Sequence, residues 1–220
     1  MNSFETICVE LKNTPTKLIA VSKTKPVEVI MPVYLKGQRI FGENKVQEMV
    51  DKHAQMPKDI EWHLIGHLQT NKVKYIAPFV SMIHSIDSLK LLNEVEKQAA
   101  KNNRVIPVLL QMHVANEETK FGLDHTELVE LMDYYLANPT NYAHVNIVGI
   151  MGMATNTSNT NHIRNEFKQL KGIFQFIKNG YFINKNDFSE ISMGMSSDYK
   201  IAIEEGSTMV RIGSLLFGQR

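Results

Sequence analysis

The sequence VIPVLLQM, from Val105 to Met112, is the longest of eight short and mainly apolar runs along the chain. The eight runs are Leu18–Ser22, Arg39–Phe41, Trp62–Ile65, Ser81–His84, Val105–Met112, Val145–Met151, Phe188–Ser192 and Met209–Ile212. Runs of this length and composition are typical of strands that are buried on both faces, as they are in parallel sheets. Each run is therefore predicted to be a strand.

Segments with helical spacing separate these runs. One segment places its apolar residues in steps of four and three, at Ile163, Phe167, Leu170, Phe174 and Ile177, which builds one apolar face on a helix. Another helix is predicted to start at Asp124, because Glu127 three residues later completes a capping box. Three glycines follow helical segments, where a left-handed residue is favoured: Gly37, Gly180 and Gly206.

The strict alternation of strands and helices indicates parallel strands joined by right-handed crossovers. Eight such units fit a single α/β barrel of the (β/α)8 TIM type, and a chain of 220 residues is long enough for one. An open, doubly wound sheet is the competing architecture. Neither a linker nor an internal repeat divides the sequence, so residues 1–220 are expected to form one domain.

Composition excludes several classes of protein. Lys plus Arg is 24 and Asp plus Glu is 23, and this balance argues against a nucleic-acid-binding protein. The apolar runs are too short for a transmembrane helix, and the amino terminus lacks the pattern of a signal peptide. The single cysteine, Cys8, excludes an intrachain disulfide and points to a reducing compartment. A cytoplasmic protein is expected.

Functional residues of such barrels lie just beyond the carboxyl ends of the strands. The loops after the last two predicted strands contain Ser196, Ser197, Gly213 and Ser214. In this place hydroxyls and free backbone N–H groups often bind a phosphate. The competing interpretation is that the two serines only cap the helix running to Glu205 and that Gly213 is a turn residue.

Lys23 ends the first predicted strand and would point into the mouth of the barrel. A partly desolvated lysine near another cation, here Lys25, has a depressed pKa, and its neutral amine can form a Schiff base. The alternative is an ordinary solvated lysine at a strand end. Lys25 precedes Pro26, so it is expected to begin a helix and to point away.

Arg211 lies within the eighth predicted strand, between two apolar residues. A charged side chain there needs a partner. It either reaches the mouth or faces outward and pairs with a carboxylate of a helix. His63 and His67 have a spacing that would suggest a metal site only on a helix. Because they fall on a strand and a loop, a metal site is not expected.

Taken together, several strings resemble one family, the pyridoxal 5′-phosphate (PLP) homeostasis proteins, whose barrel is similar to the amino-terminal domain of alanine racemases. The strings are AVSKTKP at 20–26, GQR at 37–39, FGENKVQE at 41–48, WHLIGHLQTNK at 62–72, SMGMSSD at 192–198, GSTMVRIG at 206–213 and FGQR at 217–220. They span nearly the whole chain in order. Two departures are a shortened leading helix and His67, which stands where many members have proline.

The resemblance implies that Lys23 holds PLP as an internal aldimine and that Arg211 faces the pyridine nitrogen. It implies that Ser196, Gly213 and Ser214 hold the phosphate with Ser197 beside them, and that Asn44 lines the pocket. No residue is expected to be catalytic. Expected partners are PLP and PLP-dependent apoenzymes, and the family is mostly monomeric.

The function expected from this resemblance is the binding of PLP in vitamin B6 and amino-acid homeostasis, without dedicated catalysis. An amino-acid racemase of the alanine racemase type is the first alternative. Racemases with this barrel use a tyrosine from a second domain as one of two bases, and this sequence stops at Arg220, with Tyr199 as the one candidate replacement. A Schiff-base aldolase acting on a phosphorylated sugar is the second alternative, because a barrel with a lysine and a phosphate loop also allows it.

Overall fold

A computed structural model describes residues 3–114 and 121–219, in which strands and helices alternate. The strands are β1 (Lys17–Val21), β2 (Ile40–Glu43), β3 (Glu61–Leu64), β4 (Met82–Ile86), β5 (Ile106–Gln111), β6 (Val145–Met151), β7 (Glu190–Met195) and β8 (Met209–Ile212). The helices are α1 (Ser3–Leu11), α2 (Val27–Leu35), α3 (Val46–Gln55), α4 (Val73–Ile76), α5 (Leu89–Lys101), α6 (His125–Ala137), α7 (Thr160–Gly180), α8 (Tyr199–Glu204) and α9 (Ser214–Phe217). Short 3-10 turns lie at Thr70–Lys72 and Pro139–Asn141.

The eight strands close into a parallel barrel in sequence order. Closure is made by β1, which pairs with β2 on one side and with β8 on the other. Across the closing pair, Ile19 lies opposite Arg211. The predicted (β/α)8 barrel is therefore confirmed, and the open sheet is wrong.

The main hydrophobic core lies between the barrel and its helices. The predicted apolar face of α7 belongs to it, and Phe167 and Leu170 are fully buried there. A second, smaller cluster of Leu109, Val148 and Met151 is separate from the first. Its three residues belong to the neighbouring strands β5 and β6, whose register shifts between Val108 and Leu109.

Most predicted helix ends are found. Asp124 and Glu127 form the capping box at the start of α6. Gly37 and Gly206 follow α2 and α8 with positive φ angles of 101° and 93°, which glycine adopts without steric cost. The expectation for Gly180 is wrong, because it is the last residue of α7 and the cap is Tyr181.

The seventh strand begins later than the sequence predicts. Phe188 is buried, but it precedes β7 and stacks on Phe174 of α7 with ring centroids 4.9 Å apart. Its apolar side chain therefore reflects packing in the helix layer and not a strand. None of the helices in the described ranges is both long and apolar enough to cross a membrane.

Candidate functional site

A cavity of about 350 Å³ opens at the carboxyl ends of the strands. Its lining contains all seven residues that the sequence singles out: Lys23, Asn44, Ser196, Ser197, Arg211, Gly213 and Ser214. They come from the ends of the first two and the last two strands, which the closed barrel makes neighbours. The structure thus brings the predicted residues together at one site.

Lys23 lies two residues beyond the end of β1, in a tight turn of the chain. The backbone N–H of Lys25 donates to the carbonyl of Ser22 at 3.1 Å, so residues 22–25 form a β-turn with Lys23 and Thr24 at its centre. Lys23 shares its strand parity with Ile19 and Val21, and Val21 also lines the cavity. Lys23 itself also lines the cavity, so the turn after β1 brings its side chain to the mouth.

The sequence predicted that Lys25 begins a helix and points away from the mouth, and this prediction is wrong. Helix α2 begins at Val27 with Pro26 as its N-cap, so Lys25 still belongs to the loop. It lines the same cavity as Lys23, and its Nζ donates to the carbonyl of Gln219 at 3.0 Å. A second cation therefore lies at the mouth, bound to the carboxyl-terminal segment.

Arg211 faces inward, and the outward alternative is wrong. The residue is 4% exposed. One terminal nitrogen donates to the carbonyl and the hydroxyl of Ser192, at 2.8 and 2.7 Å, and the other donates to the carbonyl of Gly152 at 2.9 Å. Burial lowers the pKa of Arg211 to about 10, an effect that the nearby Asp198 opposes. The group is still charged at neutral pH.

A chain of buried polar side chains continues from Arg211 into the barrel. Ser192 Oγ lies 3.0 Å from His84 Nδ1, and His84 Nε2 lies 2.9 Å from His63 Nδ1. Burial lowers the pKa of His63 to about 3. Burial, followed by the repulsion that a protonated His63 would exert, lowers the pKa of His84 well below its ordinary range. Both rings are therefore neutral.

The direction of the hydrogen bonds in this chain follows from Arg211, which can only donate. Ser192 Oγ accepts from Arg211 and can give its own proton to His84 Nδ1. His84 then carries its proton on Nε2 and donates to His63 Nδ1. Sequence reasoning missed this chain, although His63, His84 and Ser192 were all within predicted strands.

Ser196 and Ser197 do not cap the following helix. Helix α8 begins at Tyr199 with Asp198 at the N-cap, and the Asp198 carboxylate accepts from the Met195 N–H at 2.5 Å. Burial raises the pKa of Asp198. Ser196 Oγ instead accepts from the Gly213 N–H at 3.3 Å. This leaves the two serine side chains on the wall of the cavity.

Two observations show that the cavity lining suits a bound group. Asn44 Oδ1 is buried and has no hydrogen-bond partner among the described residues, which leaves an acceptor for a ligand or a water. At Gly213 a Cβ atom would lie 3.1 Å from the carbonyl oxygen of Val21. Glycine thus lets the backbone approach the first strand closely at the cavity wall.

The remaining candidates lie elsewhere. His67 Nδ1 is 3.0 Å from Asp87 Oδ2, and its ring stacks on Phe121, so His63 and His67 have different partners. No cluster of three or more side chains suited to a metal is found in residues 3–114 and 121–219. The Tyr199 hydroxyl donates to Glu10 Oε2 of α1 at 2.5 Å, away from the cavity. Lys120, in the loop after the fifth predicted strand, lies outside the described residues.

Residues 4–220 match the family model described as alanine racemase, N-terminal domain. A pyridoxal phosphate homeostasis protein of Aquifex aeolicus is 43% identical over 205 residues, which cover 93% of this chain and 87% of the relative. The structure of PipY from Synechococcus elongatus PCC7942 with PLP bound superposes with a TM-score of 0.86 at 32% identity, and covers 99% of this chain and 100% of that one.

Alanine racemase from Bartonella henselae is a more distant neighbour. Its structure, which contains covalently bound pyridoxal phosphate, superposes with a TM-score of 0.69 at 18% identity. The alignment covers 99% of this chain and 59% of the racemase. At this level of identity the likeness concerns the fold alone.

Proposed function

The chain belongs to the pyridoxal phosphate homeostasis proteins, within the alanine racemase N-terminal domain family, and we propose on this basis that it binds PLP covalently at the mouth of the barrel. The observation that carries the proposal is the composition of one cavity. It combines a lysine, a buried arginine and three serines on adjoining walls, and these side chains match the aldehyde, the ring nitrogen and the phosphate of PLP.

When PLP is bound, its aldehyde supplies an electrophilic carbon with which the Lys23 amine condenses to a C=N bond, with loss of water. Lys23 lies in the β-turn that follows β1, and its flanking backbone fixes where the amine enters the cavity. Lys25 also lines the cavity and places a second lysine at the mouth.

Arg211 would face the ring nitrogen. Because it stays charged at neutral pH and only donates, it can hydrogen-bond to an unprotonated nitrogen but cannot share a proton with a protonated one. It would therefore keep the ring nitrogen unprotonated, which weakens the cofactor as an electron sink. This assignment supports a role in binding rather than in turnover.

The phosphate would lie against the last two loops. The hydroxyls of Ser196, Ser197 and Ser214 can donate to it, and Gly213 lets it approach the backbone. Hydrogen bonds to a charged group contribute about 1.5–3 kcal/mol each. We therefore expect pyridoxal without its phosphate to bind at least about tenfold more weakly than PLP. Equal affinities for pyridoxal and PLP would contradict the placement of the phosphate at these loops.

We propose that the chain buffers and delivers PLP and does not racemise amino acids. Two-base racemisation needs a second acid or base within hydrogen-bond reach of the substrate α-carbon. The cavity lining given by the described residues contains no tyrosine, and Tyr199 is bonded to Glu10 instead. The curated relative from Aquifex aeolicus also bears the name of a homeostasis protein.

The covalent bond is tested by borohydride reduction of the protein incubated with PLP, followed by peptide mass mapping. We expect a phosphopyridoxyl group on Lys23 and the loss of the visible absorption band in Lys23→Ala. Lys25→Ala is the matched control and should keep the band. A reduced adduct on Lys25 in the unaltered protein would contradict the assignment of Lys23, and the absence of a visible band would favour the aldolase.

The absence of racemisation is tested by incubating the protein with PLP and L-alanine in D₂O. We expect neither rapid α-deuteration by NMR nor D-alanine by chiral chromatography. Rapid formation of both, lost in Lys23→Ala, would make the racemase function correct instead.

The cellular setting is also a proposal. We propose that the protein is cytoplasmic, because Cys8 is an exposed free thiol, which a reducing compartment preserves. That it is a monomer is a proposal that rests on the family resemblance. Delivery of PLP to an apoenzyme is tested by adding the loaded protein to an excess of a PLP-dependent apoenzyme. Gain of activity at a rate above that of spontaneous PLP release would support direct transfer. A rate equal to that of spontaneous release would contradict it.

A further inference from the structure

A buried cluster of charged side chains lies directly behind the turn that carries Lys23. Lys52 of α3 is 5% exposed and Glu43 at the end of β2 is fully buried. Lys52 Nζ donates to Glu43 Oε1 and Glu48 Oε1, each at 2.7 Å, and to the carbonyl of Ser22 at 2.8 Å. The three protons of the ammonium group thus have three acceptors.

The same cluster binds the backbone on both sides of Lys23. The Ser22 carbonyl, which accepts from Lys52, belongs to the peptide group that precedes the Lys23 Cα. The Thr24 N–H, which belongs to the peptide group that follows it, donates to Glu48 Oε1 at 2.5 Å. In addition, the Ser22 hydroxyl donates to Glu43 Oε1 at 2.6 Å. Both peptide planes at Lys23 are therefore held by one set of charges.

The turn that is held in this way is under strain. Thr24 has a φ angle of +64° at the third position of the turn, where glycine is usual if φ is positive. A β-branched residue in this region costs about 1–3 kcal/mol, and such a conformation persists only where its surroundings impose it. The hydrogen bond from the Thr24 N–H to Glu48 is a contact that holds Thr24 at this positive φ angle.

Burial of this cluster is itself costly. Burial raises the pKa of Glu43 despite its bonds to Lys52 and Ser22, and its second oxygen, Oε2, has no hydrogen-bond partner among the described residues. Replacing a buried ion pair by apolar side chains is often neutral or stabilising. Stability of the fold therefore does not explain why charges are placed at this position.

We propose that Lys52, together with Glu48 and Glu43, is a positioning residue that fixes the path of the Lys23 side chain toward the PLP aldehyde. This inference rests on the proposed function, because Lys23 must be the residue that bonds to the cofactor. None of the three side chains lines the cavity given by the described residues, whereas Lys23 does. They therefore act through the backbone of the turn and not by touching the ligand.

The test compares two ligands that differ only at the reacting group. PLP can bond to Lys23, whereas pyridoxine 5′-phosphate has the same ring and phosphate but carries an alcohol in place of the aldehyde. In Lys52→Met and Glu48→Ala we expect the rate of covalent attachment to Lys23 to fall by about tenfold or more. The dissociation constant of pyridoxine 5′-phosphate should stay within about twofold of that of the unaltered protein.

Arg104→Met is the matched control for a loss of stability. Arg104 is a half-buried cation that donates to the carbonyls of Ala77 and Val80, both at 2.7 Å, but it precedes β5 at the opposite end of the barrel from the cavity. We expect this variant to be less stable and to load PLP at the normal rate. If Lys52→Met does not fold, Glu48→Ala still tests the proposal, because the Glu48 side chain is 23% exposed.

Three other results have distinct meanings. Normal attachment rates in both Glu48→Ala and a folded Lys52→Met would overturn the positioning role. An equal loss of affinity for both ligands would also overturn it, because it would indicate general damage to the cavity. A failure of the unaltered protein to form any covalent bond with PLP would instead overturn the proposed function.

Discussion

At the scale of single residues, Ser192 connects the positive charge at the mouth to the interior of the barrel. Its hydroxyl lies between Arg211 and His84, at 2.7 and 3.0 Å. All three side chains are buried, so water cannot replace a lost bond without entering the barrel. The orientation of Arg211 thus depends on a residue that is not charged.

Ser192→Ala should lower the free energy of unfolding by about 1–3 kcal/mol, because it leaves polar groups of Arg211 and His84 without this partner in a buried place. Urea denaturation at neutral pH measures the change. The control is Ser189→Ala, since Ser189 is exposed and its hydroxyl makes only a 3.4 Å contact to the carbonyl of Asp187. A change of equal size in both variants would contradict the proposed connection.

The two buried histidines predict how stability depends on pH. The pKa of His63 is lowered from 6.5 to about 3 in the folded protein, so the unfolded chain binds more protons below pH 6.5. Stability is therefore complete above about pH 6.5 and falls as the pH decreases toward 3, by about 1.4 kcal/mol per pH unit for each histidine held neutral. Denaturant titrations between pH 7 and pH 5 test this, and in His63→Gln the slope should be shallower. An unchanged slope would mean that His63 binds its proton in the folded state.

At the scale of elements, helix ends are fixed by local hydrogen bonds that need no tertiary partner. In α6 the Asp124 carboxylate accepts from the Glu127 N–H at 2.8 Å, and Glu127 Oε2 accepts from the Asp124 N–H at 3.0 Å. The two residues are only three positions apart, so the sequence alone predicts this capping box. The helix end is therefore set locally, whereas packing sets the position of the helix on the barrel.

Asp124→Ala should destabilise the protein by about 1 kcal/mol, which is the usual cost of losing an N-cap side chain. Thermal unfolding followed by circular dichroism measures the loss. Glu130→Ala provides the control, because Glu130 is an exposed residue within the same helix. The capping interpretation fails if the two variants have the same melting temperature.

At the scale of the whole molecule, the two ends of the barrel have different tasks. The cavity lies at the carboxyl ends of the strands. At the other end, Lys17 at the start of β1 pairs with Glu190 at the start of β7, and the Thr208 hydroxyl donates to Glu190 at 2.6 Å. In barrels of this type the carboxyl end carries the function and the amino end contributes stability.

Glu190→Gln should therefore lower stability by about 1 kcal/mol or less, since Lys17 is half-exposed and such pairs contribute little. Its affinity for PLP should equal that of the unaltered protein. Denaturation and a spectroscopic PLP titration measure the two quantities side by side. A clear loss of PLP affinity would contradict the separation of the two ends.

Sequence alone predicted the alternation of strands and helices and most of the cavity residues, whereas the pairing of β1 with β8 decided between the barrel and an open sheet. Apolar runs separated by helical segments require strands that alternate with helices, and eight parallel strands place their carboxyl ends at one mouth. Lys23, Asn44 and the serines were predictable because each follows such a run, and Arg211 because it is a charged residue within one. Their cofactor stays a proposal that rests on the family and on the cavity that they line.

Only the tertiary structure decided which way individual side chains face and which distant groups they contact. Arg211 faces inward because Ser192 and Gly152, 19 and 59 residues away in sequence, offer it acceptors inside the barrel. Lys25 lies at the mouth because its Nζ donates a hydrogen bond to the carbonyl of Gln219. The Lys52 cluster forms because α3 packs behind the turn after β1. These contacts join residues that the sequence keeps far apart, so no local pattern could specify them.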